Sequence, residues 1–133
     1  MKKIWYAPNK FEAYGEEEIK AVEECLRDGW LAGFGPRTVE FEEKIAKQFG
    51  KKYGVFVNSG SAACLLALAS LQLPKGTKII TPACTFSTTL APIIQLGLIP
   101  VFVDVDLTTY CVNVEEVLSA IDGDVKALMI PNL

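Results

Sequence analysis

Apolar residues follow two different spacings along the chain, and the change falls near residue 53. In YGEEEIKAVEECLRDG, Ile19, Val22 and Leu26 recur at helical spacing, acids fill the opening turns, and Gly29 follows the end. That pattern predicts an amphipathic helix from about 15 to 28. WLAGFG (30–35), with two glycines among apolar residues, reads as a loop. PRTVEFEEKIAKQFG then opens on a proline suited to a first helical turn and stops at Gly50, with Phe41, Ile45 and Phe49 along one face.

From residue 53 the apolar positions come in unbroken runs. YGVFV (53–57) predicts a short strand, and residues 61–72 a helix apolar on nearly every side. PKG (74–76) turns the chain into TKIITP (77–82), a second strand. FSTTLAPIIQLG predicts a helix with Pro92 near its start, because a deeper proline would break it. IPVFVDVD is the next strand. Asn113, with Glu116 three residues on, makes a capping-box start to VEEVLSAI, and VKALMIP (125–131) is a last strand. Continuous Val/Ile runs alternating with helices imply an α/β fold, a mostly parallel sheet flanked by helices on both faces. The order is helix, helix, three strand–helix pairs and one bare strand, so the chain is expected to be truncated. A helix apolar all round and an unpaired last strand both ask for cover from a partner chain or a C-terminal continuation.

The junction VNSGSAACLLALASL (57–71) places Asn58, Ser59, Gly60 and Ser61 where a strand becomes a buried helix. In open α/β sheets ligands bind at the carboxyl ends of strands, and the first turn of the following helix offers unpaired N–H groups and a positive dipole end. The stretch therefore suits a phosphate. Equally, Asn58 or Ser59 could cap the helix with no ligand present. It matches neither G-x-G-x-x-G nor the P-loop. A second strand end, TPACTF, would bring Thr85 and Phe86 to the same rim. There an aromatic could lie against a planar ring, or Phe86 could simply be core.

Composition narrows the chemistry. The chain has 133 residues, enough for one domain. Its 13 basic and 16 acidic residues leave a net charge of −3, which argues against a nucleic-acid or anionic-membrane partner. No charged stretch leads into an apolar one at the N-terminus, and no apolar run reaches spanning length. Cys25, Cys64, Cys84 and Cys111 form no C-x-x-C pair, so a reduced, cytoplasmic setting is expected. Histidine is absent altogether, which removes Ser-His-Asp and Cys-His nucleophiles and imidazole as a metal ligand. No metal site is expected. The lysines, among them Lys75, Lys78, Lys126 and the Lys51–Lys52 pair, read as solvated surface charges rather than nucleophiles.

Two long stretches carry a resemblance. NSGSAACLLALASL through GTKIITPACTFSTTLAPIIQLGLIPVFVDVDLTTYCVNVEEVLSAI, and DGWLAGFGPRTVEFEEKIAKQFG before it, resemble the N-terminal part of the DegT/DnrJ/StrS family from about residue 7 to 133. These are vitamin-B6-dependent sugar aminotransferases and sister nucleotide-sugar 3-dehydratases of fold type I. The resemblance implies the N-terminal part of that large domain, with residues 1–50 as a helix-loop-helix and 51–133 as the start of the sheet. It implies pyridoxal phosphate or pyridoxamine phosphate as cofactor, a nucleotide-sugar substrate, and a homodimer or a complementing C-terminal chain. Ser61 and Ala62 match positions that hold the cofactor phosphate, and Phe86 matches the aromatic stacked on its ring. Gly29, Trp30, Leu31 and Gly33 match the loop bordering the nucleotide-sugar site. Asp104 takes a structural role, and Asn58 and Ser59 support the turn. The family's aspartate at the pyridinium nitrogen, and its Schiff-base lysine or the dehydratase histidine, match nothing in this chain. No catalytic residue is therefore assigned here, and the isolated chain is expected to be inactive. The alternatives to amination are 3-dehydration, towards which SGSAACLLAL and IQLGLIPVFVDVD lean, and a non-catalytic module that pairs with another chain.

Overall fold

A computed structural model describes residues 13–131, which divide into two compact units, one up to Phe56 and one from Val57. The first unit is a helical hairpin. Helix α1 (Glu16–Asp28) starts with three glutamates and ends at Gly29, whose φ of 75° lets its N–H reach back to the Cys25 carbonyl at 3.1 Å. Helix α2 (Pro36–Gln48) has its proline in the first turn, as expected. The face carrying Phe41, Ile45 and Phe49 stays largely open to solvent; Phe41 meets Phe56 edge-on with centroids 5.5 Å apart.

The stretch 53–57 is not a strand. Its extended chain lies on α2 instead: Phe56 donates its N–H to Glu42 Oε1 at 2.6 Å, so that group is taken by a carboxylate and not by a neighbouring strand. Gly54 passes so close that a Cβ there would sit 2.5 Å from the Glu42 carbonyl oxygen. Only glycine fits that approach.

The second unit is a βαβ structure. Helix α3 (Gly60–Ala69) precedes strand β1 (Lys78–Pro82); helix α4 (Ser87–Gln95), strand β2 (Ile99–Val103), helix α5 (Val114–Ala120) and strand β3 (Val125–Leu128) follow. The sheet is parallel with order β2-β1-β3, Ile79 aligned with Pro100 on one side and with Ala127 on the other. Period-two alternation splits β1 between two cores. Ile79 packs with Leu68, Ile93 and Leu98 under α3 and α4, while Ile80 packs with Val103 and Val117 under α5. Both faces are thus helix-covered, as the continuous apolar runs predict.

Three local expectations change. Helix α3 starts at Gly60 and ends at Ala69, because Leu71 and Gln72 turn back onto the Leu68 and Ala69 carbonyls and Gln72 adopts a φ of 50°. Within this chain its apolar surface is left partly uncovered, Leu68 buried and Leu66 half exposed, in keeping with the expected need for cover from elsewhere. Pro92 lies well inside α4, not near its start. It forfeits a bond to the Thr88 carbonyl, and its burial in the core offsets that loss.

Candidate functional site

Strand order locates the site before any side chain does. From β1 the chain moves through α4 to β2 on one side, then crosses back through α5 to β3 on the other. The sheet therefore has a switch point between β1 and β3, and ligands bind outside the carboxyl ends of strands at such points. The carboxyl end of β1 runs into Ala83, Cys84, Thr85 and Phe86.

Phe86 is exposed over 74 % of its surface, which removes the core alternative. The cause is local. Thr85 Oγ1 is hydrogen-bonded to Thr89 Oγ1 at 2.9 Å, and Thr89 is buried; Phe86 follows in extended backbone (φ −73°, ψ 145°) with its side chain exposed. Phe86 is also the cap residue of α4, its carbonyl accepting the Thr89 N–H at 2.9 Å.

At the start of α3, Ser59 is the residue that caps the helix: its Oγ accepts the Ala62 N–H at 3.1 Å, and its carbonyl accepts the Ala63 N–H at 3.0 Å. Ala62 therefore has its N–H committed. Gly60 and Ser61, the first two helical residues, have no carbonyl to reach within their own helix. A Cβ built on Gly60 would meet nothing within 4 Å. Beside them Ser61, Ala62 and Leu65 of α3 and Thr88, Ala91 and Gln95 of α4 line a groove of about 190 Å³. The α4 half of this wall went unnoticed in the sequence, although the 88, 91, 95 spacing marks one helical face.

No lysine of the second unit stands at this rim among the described residues. Lys78 opens β1 at the opposite, amino end and pairs with Asp122 at 2.7 Å and Asp124 at 3.4 Å. Those partners, Asp122 foremost, hold its ammonium pKa above the usual value, and Lys78 in turn holds the Asp122 carboxyl below its own. The Lys75 stem lies against Gly97, and Lys126 donates to the Gly123 carbonyl. Asp104 is tied in through its backbone: its N–H goes to Glu116 Oε2 at 2.7 Å and its carbonyl takes the Asn113 N–H at 3.2 Å. Asn113 Oδ1 caps α5.

The remaining predicted residues lie in the first unit. Trp30 and Leu31 are 58 % and 71 % exposed on the loop between α1 and α2, Gly33 is exposed beside them, and Gly29 closes α1. Gly35, by contrast, is buried, and a Cβ added to it would lie 3.5 Å from the Trp30 Cβ. No described helix is long and apolar enough to cross a membrane, and no metal-binding cluster occurs among the described residues.

Comparison with known proteins agrees with this architecture. The sequence profile described as the DegT/DnrJ/EryC1/StrS aminotransferase family matches residues 12–133. GDP-4-keto-6-deoxy-D-mannose 3-dehydratase of Escherichia coli O55:H7 is 37 % identical over 132 residues, 95 % of this chain and 34 % of that protein. An E. coli GDP-4-keto-6-deoxy-D-mannose-3-dehydratase structure with bound hydrated PLP superposes with a TM-score of 0.81 at 37 % identity, over 88 % of this chain and 31 % of that one. The sugar aminotransferase Spr1654 of Streptococcus pneumoniae, solved in PLP and PMP forms, gives 0.78 at 31 % identity, over 86 % and 29 %. The chain spans about a third of the length of the relatives it matches. The described fold corresponds to the N-terminal part of the large domain of fold type I PLP enzymes.

Proposed function

This chain belongs to the DegT/DnrJ/EryC1/StrS aminotransferase family, and from that premise we propose that it forms the N-terminal part of a pyridoxal-phosphate site acting on a keto-sugar nucleotide in polysaccharide or deoxysugar biosynthesis. The observation that carries the reading is the open start of α3. Gly60 and Ser61 offer two uncommitted N–H groups and a hydroxyl at the positive end of a helix, with open space over Gly60. A phosphate fits there. Ala62, whose N–H serves the cap, contributes groove wall and not a donor. Phe86, held outward by the Thr85–Thr89 bond, offers a face for a planar ring.

Pyridoxal phosphate, or its pyridoxamine form, supplies an electron sink when bound. The chain's own part is to anchor the phosphate, present an aromatic face, and border the nucleotide sugar with Gly29, Trp30, Leu31 and Gly33. The described lysines of the second unit lie at the amino rim, so in this reading the covalent anchor and the acid–base groups come from a complementing C-terminal part, which a second copy of these residues would not supply. Transfer of an amino group is the first reading. Removal of the 3-hydroxyl is the second, favoured by 37 % identity to the dehydratase against 31 % to the aminotransferase. The isolated chain is expected to turn over neither substrate, and a cytoplasmic setting is part of this proposal, with which its widely spaced free cysteines are compatible.

Gly60→Pro is the decisive variant. Proline is tolerated in a first helical turn, and Ser59 is already extended (φ −163°, ψ 157°) as a residue before proline must be. The change removes one free N–H and leaves the cap in place. Absorbance titration of the chain with pyridoxal phosphate should show affinity falling about tenfold, the loss of one hydrogen bond to a charged group. Unchanged affinity in a folded variant rejects the phosphate site.

A further inference from the structure

The loop 29–35 is bracketed by an ion pair. Arg37, at the second position of α2, reaches back thirteen residues to α1, where its Nη2 meets Glu24 Oε2 at 3.0 Å. Its Nη1 faces Glu40 at 3.6 Å, and Glu40 takes Lys44 at 2.7 Å. Among the described residues this is the ion pair that joins α1 to α2. Below it lies a cavity of about 90 Å³ whose walls include Cys25, Trp30, Gly35, Arg37 and Thr38. The loop is tightened from within as well, Leu31 donating its N–H to the Gly29 carbonyl at 3.1 Å. Trp30 thus lies beside buried Gly35 and lines the cavity while more than half of its surface stays exposed.

We propose that Arg37 is a positioning residue: by tying the first turn of α2 to α1 it holds Trp30 and Leu31 in one presentation toward a nucleotide sugar. The substrate part of this inference rests on the function proposed above; the ordering of the loop does not. Arginine suits the task because its planar fork serves carboxylates on two helices at once, which a lysine ammonium does less well. The pair is exposed, at 58 % and 46 % of the two side chains, so it stabilises the fold little and acts on the loop between its ends.

The test uses the 133-residue chain with Trp5→Phe, which leaves Trp30 as the one indole of the original two. Acrylamide quenching of Trp30 is compared across Arg37→Ala, Arg37→Lys, Glu24→Gln and the Arg37→Ala/Glu24→Gln double variant. Each of Arg37→Ala and Glu24→Gln should raise the quenching constant about twofold, the scale of an exposed ion pair, with no further rise in the double variant. Arg37→Lys should fall between, and the thermal midpoint should hold. Titration with UDP-glucose and GDP-mannose should show both single variants binding about threefold more weakly than wild type. Equal quenching constants in wild type and single variants, or additive effects in the double variant, overturn the proposal. So does a loss of affinity in Arg37→Ala that Glu24→Gln does not share, since Arg37 would then be touching the ligand itself. If neither nucleotide sugar perturbs Trp30 in the wild type, the substrate reading fails, and the quenching series still decides the role of Arg37.

Discussion

In the second unit Ile79, Ile80 and Ile93 are fully shielded from solvent; in the first, Val22, Leu26, Phe41 and Phe49 each leave half or more of their surface exposed. Both units are rich in apolar residues, but they arrange them differently. A parallel sheet has two faces, so one strand, β1, seeds two cores under helices on either side. The two helices of the first unit bury almost nothing: α1 has no buried residue and Ala46 is the buried apolar residue of α2. The unit therefore rests on its caps and on the latch of Phe56 to Glu42, and the exposed Arg37–Glu24–Glu40–Lys44 network biases the loop between the helices more than it stabilises them. The candidate phosphate turn sits on the firmly packed unit, and the candidate substrate loop on the softly held one. Anchoring a small anion needs fixed donors; admitting a larger ligand is compatible with a loop that a few surface contacts bias.

The sharpest way to break this contrast is to truncate one large apolar side chain to alanine in each unit. Ile79→Ala should destabilise the second unit by about 2–5 kcal/mol, because the side chain is fully buried between α3 and α4. Phe41→Ala, half exposed, should cost about 1 kcal/mol and leave the melting of the sheet unmoved. Comparable losses in urea unfolding would mean the two units share one core.

Thr81 sharpens it in the other direction. Its hydroxyl is buried in β1 with no hydrogen-bond partner among the described residues. Replacing it with valine keeps the shape and removes the orphan, so Thr81→Val should raise stability by about 1 kcal/mol. A fall of that size in thermal unfolding would show that the hydroxyl has a partner in solution.

Phe86→Ala should lower pyridoxal phosphate affinity several-fold, a loss on the order of 1 kcal/mol, while stability holds because the ring is exposed. A drop in stability at constant affinity would return Phe86 to the core.

The smallest effect concerns pH. The Asp122 carboxyl is held below its usual 3.8, by Lys78 first and then by the Asp124 and Val125 N–H groups. A depressed folded-state pKa contributes stability above the unfolded value, and that stability is lost as pH falls through the folded one. Asp122→Asn should therefore be slightly less stable than wild type at pH 6, with the gap closing below about pH 3.8. A gap that persists into acid would assign the effect to packing.

Much of the architecture was legible in the chain because its signals are local. Gly29 after α1, Pro36 at the start of α2 and Asn113 before α5 mark boundaries that the structure keeps within a residue or two. Continuous Val/Ile runs announced a parallel sheet covered on both faces, since such strands have no polar side to give to water. The likeness of NSGSAACLLALASL and TPACTF to one family also reads directly from residue order. Other features depend on where chain segments meet. YGVFV has a strand's composition, but a strand exists only by pairing, and here Phe56 pairs with Glu42 instead. Pro92 reads as a helix breaker until burial outweighs one lost backbone bond. Ser61 and Ala62 look alike as phosphate residues in the sequence; the bond from the Ala62 N–H to the Ser59 hydroxyl leaves Gly60 and Ser61 as the free donors. Phe86, an aromatic that by itself reads more readily as core, is exposed in the structure beside the Thr85–Thr89 bond. Sequence determined which segments are helical, which are apolar and which family they resemble, because propensity and spacing act over a few residues. Tertiary structure decided which donors stay free and which ring is exposed, because each depends on a partner whose distance the sequence does not encode.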